Sequence, residues 1–193
     1  ATSGAGSIQR TGSAGTSSND GHGVEIDNGA TSISTGSGTI TVVGAGAGAG
    51  LAHGIRSSGT IGGPGVSGII MLRAQSPSGA DAFDLSPTSI IQGSGQLFLE
   101  PINAATTIGL GGGVGTLNLS ATELGTLQNG FSQITIGHSA GTGLINLGSH
   151  TFTDPIIVRN TGAGSAGIVS SGTLDAGAND LSLLSAGNVN VTQ

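Results

Sequence analysis

The segment Gly38-Thr39-Ile40-Thr41-Val42 reads glycine, variable, aliphatic, variable, aliphatic, and the same order returns at four later places in the chain. These places are residues 68–72, 95–99, 115–119 and 143–147. Alternation of aliphatic with other residues is typical of β-strands, because successive side chains point to opposite faces of a sheet. A recurrence at intervals of roughly 20 to 30 residues predicts a repeat architecture.

A second set of similar segments advances together with the first. His22-Gly23-Val24 returns as His53-Gly54-Ile55, and Phe83-Asp84-Leu85 follows at a similar interval. Further short apolar segments lie between these markers, which gives about three strands per repeat. The prediction is an all-β chain that winds as a parallel β-solenoid of about seven coils. A β-sandwich is the competing fold, although it usually has an aromatic core.

The aliphatic positions of the five segments are expected to point inward and to stack in register from coil to coil, so that they form one continuous core column. These positions are Ile40, Val42, Ile70, Leu72, Leu97, Leu99, Leu117, Leu119, Ile145 and Leu147. Glycine and other small residues are expected at the corners, because stacked coils lie only about 4.8 Å apart. One helix of one or two turns is predicted between residues 120 and 129, where Ser120 and Glu123 have the spacing of a capping box.

Composition excludes two classes of partner. The chain has four Lys and Arg residues, all of them Arg, against ten acidic residues, so it lacks the basic surface that nucleic acids require. The same deficit argues against an anionic membrane surface, and no apolar run approaches the roughly 20 residues of a membrane span. We expect one solenoid domain over residues 1–193, part of a longer repeat protein, in which residues 1–21 are irregular or belong to the first coil.

Several runs resemble the repeat regions of large bacterial exoproteins of the filamentous haemagglutinin and autotransporter-adhesin type. They are His-Gly-Val-Glu-Ile-Asp-Asn-Gly at 22–29, the run at 32–44, the run at 117–137 and Phe-Thr-Asp-Pro-Ile-Ile-Val at 152–158. The resemblance implies a right-handed β-helix that is secreted to the bacterial cell surface and works as an adhesin or fibre. It also implies contacts with glycans or proteins of host or neighbouring cells.

One local cluster offers an alternative function. Asp81 and Asp84 flank Phe83, and Arg73 lies earlier in the chain, so a pair of acids with a base is conceivable. Clustered carboxylates serve polysaccharide lyases and hydrolases, some of which are parallel β-helices, as general acids or Ca²⁺ ligands. The alternative function is therefore a carbohydrate-binding or polysaccharide-degrading β-helix. The structural interpretation is that both aspartates form side-chain turns at a corner, and we expect no enzymatic activity.

The histidines do not predict a metal site. His22 and His53 would stack if the interval between them makes one full coil, but two ligands are too few for zinc, and His138 and His150 belong to other coils. The sequence contains no cysteine to supply a thiolate ligand. No phosphate-binding motif with its lysine is present either, since the chain has no lysine. We expect no metal and no cofactor.

The outward positions of the strands predict an interaction face. Ile69, Met71 and Phe98 alternate with core residues and would form an exposed apolar stripe, which usually marks a contact with another protein. The ends of a solenoid are open strand edges, and we see no polar cap at residues 189–193. We therefore expect lateral or end-to-end self-association into filaments, or continuation of the coils in a longer chain.

Overall fold

In the computed structural model of the protein, the described residues are 5–15, 21–29, 32–33, 36–48, 50–77 and 80–191. Within these ranges the chain forms short strands and one short helix. In chain order they are β1 (Ile8–Ser13), β2 (Val24–Ile26), β3 (Ser32–Ile33), β4 (Ile40–Ala45), β5 (Ile55–Ser57), β6 (Thr60–Gly62), β7 (Ile70–Gln75), β8 (Phe83–Leu85), β9 (Ile90–Gln92), β10 (Gln96–Pro101), β11 (Ile108–Leu110), β12 (Leu117–Leu119), α1 (Ala121–Leu124), β13 (Gln133–Ile136), β14 (Ile145–Leu147), β15 (His150–Thr151), β16 (Ile156–Asn160), β17 (Ile168–Ser170), β18 (Leu174–Asp175), β19 (Leu181–Ser185) and β20 (Val189–Asn190).

In the described part of the chain the strands form five separate sheets, and every ladder between these strands is parallel. The largest sheet has seven strands in the order β1-β4-β7-β10-β13-β16-β19, so the chain returns to it repeatedly. We call the stretch of chain that begins with one of these strands and ends before the next a pass, which gives seven passes. The strands between these returns form sheets in the orders β2-β5-β8, β3-β6-β9, β12-β11-β14-β17-β20 and β15-β18. The all-β class and the parallel pairing are confirmed, and the strand order is compatible with a β-solenoid.

The core lies between the sheets and consists of the inward-facing aliphatic residues. All ten predicted core positions are buried, from Ile40 to Leu147. In the seven-stranded sheet, Ile40, Ile70 and Leu97 follow one another in register, so equivalent side-chain positions stack from pass to pass. Residues 8–13 form the first strand of this sheet, while residues 1–4 and 16–20 lie outside the described residues.

The register predicted beyond Leu99 is wrong. Leu117 and Ile145 lie in the five-stranded sheet, where each pairs with Ile108, and the next residue in register with Leu97 is Ile134. The fourth pass is longer because it contains an extra strand, β12, which lies beside β11 of the same pass, and then helix α1. A constant period could not reveal this insertion, since β12 has the same aliphatic alternation as a normal strand.

Helix α1 is confirmed, and its N-terminal end has the predicted chemistry. The Ser120 hydroxyl accepts a hydrogen bond from the Glu123 backbone N–H (3.2 Å), and the Glu123 carboxylate accepts one from the Ser120 N–H (2.9 Å). The other oxygen of that carboxylate accepts from the Leu85 N–H (3.1 Å), which ties the helix to β8. The helix therefore links the first three passes to the later ones.

Candidate functional site

Charged side chains stand in register on the outer side of the β2-β5-β8 sheet. Glu25 pairs with Arg56, and Arg56 pairs with Asp84. The Arg56 Nη1 atom lies 3.3 Å from Glu25 Oε1, and its Nε atom lies 3.2 Å from Asp84 Oδ2. Acid, base and acid alternate along this column, so the repulsion that a stack of like charges would produce is avoided. Because all three side chains are 39–50% exposed to solvent, the column contributes little to stability.

His22 and His53 stack beside this column, as their interval in the sequence predicts. Their ring centroids are 5.3 Å apart, and the planes differ by 21°. The Nδ1 atom of His53 donates to the Asp81 carbonyl (2.7 Å), while its Nε2 atom lies 3.7 Å from Asp84 Oδ2. Arg56 donates to His22 Nε2 (3.3 Å). Within the described residues, no group of three or more His, Asp or Glu side chains is arranged to hold a metal ion.

The sequence suggested that Asp81 and Asp84 lie together with Arg73, but the structure does not bring them together. Arg73 lies on the seven-stranded sheet, where its Nε atom is 3.4 Å from Glu100 Oε2. The basic partner of Asp84 is Arg56.

The cause of this difference is register. Ile55 pairs with Phe83, which sets Arg56 opposite Asp84. The alignment predicted from the sequence matched His53 with Phe83, so it was displaced by two positions and hid this pairing. An alignment of the two apolar residues, Ile55 with Phe83, would have revealed it.

Asp84 lines a groove on this side of the molecule, whereas Asp81, three residues earlier, is not among the lining residues. Burial raises the pKa of the Asp81 carboxyl, and the nearby Glu123 and Asp84 carboxylates raise it further, while His53 acts in the opposite direction. The groove has a volume of about 330 Å³, and it is lined by Glu25, Ile26, Asp27, Arg56, Ser57, Ser58, Asp84, Ser86 and Pro87. Carboxylates outnumber the single guanidinium in this lining. The groove can therefore attract hydroxyl-rich or cationic groups more readily than anions.

A second charged cluster lies on the outer side of the seven-stranded sheet. The Glu100 side chain is only 9% exposed, and it contacts Arg73 at 3.4 Å and Arg159 at 2.9 Å. Arg159 reaches Glu100 across Gly137, whose carbonyl accepts a hydrogen bond from the Arg159 Nε atom (3.3 Å). A side chain at Gly137 would collide with the Arg159 backbone, and its φ of 101° favours glycine. Sequence reasoning missed Glu100 and Arg159, because they are far apart in the chain and belong to different passes.

The predicted interaction face is adjacent to this cluster. Met71 pairs in register with Phe98, and Ile69 precedes β7 on the same side. Ile69 is 37% exposed, whereas Met71 and Phe98 are half-buried. The Arg159 guanidinium lies over the Phe98 ring, 5.7 Å from its centroid, in a cation–π arrangement. The surface therefore presents apolar groups beside charged ones.

Strands β19 and β20 are the last strands in their sheets, and their core positions are uncovered. Leu181 pairs with the buried Ile156, and Val189 pairs with the buried Ile168. Leu181 nevertheless has 40% of its surface exposed, and Val189 has 45%. Both residues continue the columns that bury their neighbours. This edge thus combines unpaired backbone groups with exposed aliphatic side chains.

Comparisons with protein-family models, with curated proteins and with solved structures found no match to this chain. The one helix in the described part of the chain has four residues. The described residues therefore contain no helix that is long and apolar enough to cross a membrane.

Proposed function

We propose that the chain forms a right-handed parallel β-solenoid and acts as an extracellular structural or adhesive element of a fibre. The seven-stranded parallel sheet supports the solenoid, since its order requires the chain to return to the same face once per pass. Parallel strands that are neighbours in space but separated by a whole pass are the arrangement of stacked coils. The runs that resemble bacterial adhesin repeats support secretion to the bacterial cell surface.

The exposed sheet edge at β19 and β20 is the observation that best supports a role in a fibre. An edge strand exposes a row of unpaired N–H and C=O groups, which recruits a further strand unless the edge is blocked by charge, proline or a covering segment. Leu181 and Val189 are aliphatic, and the exposed Leu184 and Val191 lie nearby. A further coil, from a second copy or from the same polypeptide, would cover these side chains and extend the core column.

Electron microscopy of the purified protein tests this function. Filaments with an axial repeat of about 4.8 Å are expected, because each added coil extends the sheet by one strand spacing. Val189→Lys places a charge at the edge and should shorten or abolish the filaments. Val114→Lys is the matched control, since Val114 is 80% exposed in a loop away from this edge.

Isolated short particles at all protein concentrations would contradict assembly from separate copies. Coils of one covalent chain would then be the only source of a fibre. If filaments form equally well with Val189→Lys and with Val114→Lys, the edge at β19 and β20 is not the contact between copies. The face formed by Ile69, Met71 and Phe98 would then be the remaining candidate for that contact.

A second candidate function is the binding or cleavage of a polysaccharide at the groove beside Asp84. Asp84 lines this groove, and the pKa of the nearby Asp81 carboxyl is raised by burial, which is the direction that a general acid needs. A panel of polysaccharides should then reveal binding or cleavage that Asp81→Asn or Asp84→Asn removes. Asp175→Asn is the control, because Asp175 lies on β18 and accepts a local bond from Gly177 N–H (2.8 Å). Equal behaviour of all three variants would contradict this candidate.

A further inference from the structure

The ring of His138 has a defined proton arrangement. Its Nδ1 atom accepts a hydrogen bond from the Ala140 backbone N–H (3.0 Å). An amide N–H can only donate, so Nδ1 carries no proton, and the neutral ring must carry its proton on Nε2. The Nε2 atom of His138 is therefore a hydrogen-bond donor.

A second donor faces this nitrogen. The Nη2 atom of Arg73 lies 3.3 Å from His138 Nε2. A guanidinium has five N–H donors and no acceptor. With His138 in this tautomer the two groups cannot hydrogen-bond to each other, and they present two donors only 3.3 Å apart. Among the described residues, no acceptor is hydrogen-bonded to both of them.

The surrounding charge points to an anion as that acceptor. Arg73 and Arg159 share the single carboxylate of Glu100, so this cluster has one positive charge in excess. Arg159 has the shorter contact to Glu100, at 2.9 Å, and also donates to the Gly137 carbonyl. The Arg73 Nε atom is buried without a hydrogen-bond partner, and its contact with Glu100 is longer, at 3.4 Å. Arg73 is thus paired less closely with Glu100 than Arg159 is.

We propose that Arg73 and His138 together bind one oxyanion, which is a carboxylate, sulfate or phosphate group. Such a group has oxygens spaced to accept from two separate N–H donors, and hydrogen bonds between ionised partners are shorter and stronger than neutral ones. Met71 lies two residues before Arg73 on the same outward side of β7. The ligand's anionic group would therefore lie next to the apolar face formed by Ile69, Met71 and Phe98. This site does not depend on the proposed fibre.

Isothermal titration calorimetry with inorganic sulfate, at constant ionic strength set with chloride, tests the site. His138→Asn retains an oxygen that can accept from the Ala140 N–H and removes only the Nε2 donor. We expect saturable sulfate binding by the unmodified protein and about tenfold weaker binding by His138→Asn, which corresponds to about 1.4 kcal/mol. Arg73→Gln should abolish binding.

Arg56→Gln is the matched control, since it removes the same charge from a guanidinium that already contacts Glu25 and Asp84. Its sulfate affinity should equal that of the unmodified protein. Absence of saturable binding, or equal losses in Arg56→Gln and Arg73→Gln, would overturn the proposal. Circular dichroism of each variant identifies any loss that results from unfolding.

Two further titrations distinguish the source of the oxyanion. A sulfated or uronate-containing oligosaccharide that competes with sulfate and binds more tightly would identify an acidic glycan as the ligand. Competition by inorganic phosphate or acetate alone, with no gain from the sugar, would identify a free anion.

Discussion

At Glu100 a single nearly buried carboxylate holds two arginines from different strands. Removing its charge leaves Arg73 and Arg159 facing each other without a counter-ion, and breaking a buried ion pair by removing one partner costs about 3–5 kcal/mol. Glu100→Gln should therefore lower the free energy of unfolding by about 3 kcal/mol, which denaturant titration can measure.

Glu25→Gln is the matched comparison, because it removes the same charge from a half-exposed pair with Arg56. Its effect should be within about 1 kcal/mol, as for other surface pairs. Equal effects of the two variants would show that burial of Glu100 does not determine the strength of its contacts.

His150 makes stability depend on pH in a defined direction. Its ring meets Phe152 edge-on with centroids 4.7 Å apart, and burial lowers the pKa of His150 below its ordinary value of 6.5. The unfolded chain therefore binds a proton at a higher pH than the folded chain does. The free energy of unfolding should fall as the pH drops below 6.5 and should level off below the folded-state pKa.

His150→Gln removes this group while retaining a polar side chain. Between about pH 7.5 and 5.5, the variant should lose less stability than the unmodified protein does. Parallel curves of unfolding free energy against pH for the two proteins would contradict the assignment.

At the scale of elements, the loop between β11 and β12 depends on glycines that allow two backbone segments to approach closely. The short loop at 111–116 turns the chain back so that β12 pairs with β11 of the same pass. A Cβ atom at Gly113 would collide with the Asn146 carbonyl, and one at Gly115 would collide with the backbone at Gly109. The loop can close in this form only because these positions lack side chains.

Gly113→Ala should therefore destabilise the protein by about 2 kcal/mol, since Asn146 lies in β14 and its backbone cannot retreat without disturbing the ladders on both sides. Gly65→Ala is the control, because a Cβ there meets nothing within 4 Å and the position has no positive φ. Thermal unfolding followed by circular dichroism measures both. A Gly113→Ala midpoint equal to that of Gly65→Ala would contradict the close approach.

At the scale of the whole molecule, one sheet runs through all seven passes while the others are interrupted. The β2-β5-β8 and β3-β6-β9 sheets stop at the fourth pass, where β12 and α1 are inserted. A single bridge between Ile91 and Leu127 links β9 to the segment after the helix. The seven-stranded sheet is therefore the most extensive connection between the two halves of the described chain, in addition to the contacts of helix α1 and of the Ile91–Leu127 bridge.

Amide hydrogen exchange should reflect this architecture. Strands β7 and β10 lie inside the seven-stranded sheet and should exchange slowest, whereas β19 has a neighbour on one side only and should exchange faster. Mass spectrometry at low and high protein concentration can measure this. If copies stack at the edge, β19 should become protected at high concentration while β7 stays unchanged; protection of β19 independent of concentration would contradict stacking.

Regular repetition allowed much of the molecule to be predicted. The alternation in segments such as residues 38–42 correctly identified strands and core positions, because side-chain direction in a strand depends only on local sequence. The capping box at Ser120 and Glu123 was predicted for the same reason. The stacking of His22 on His53 was also predicted, since one pass separates them without an insertion.

Which residues meet across passes was decided by the tertiary structure. The pairing of Ile55 with Phe83 set Arg56, and not Arg73, against Asp84. The insertion in the fourth pass still left Glu100 beside Arg159, which comes two passes later. Sequence alone determined the strands, their inward faces and the charge-poor surface, because these depend on composition and near neighbours. The contacts between charged groups depend on the lengths of the intervening loops, so only the folded chain could fix them.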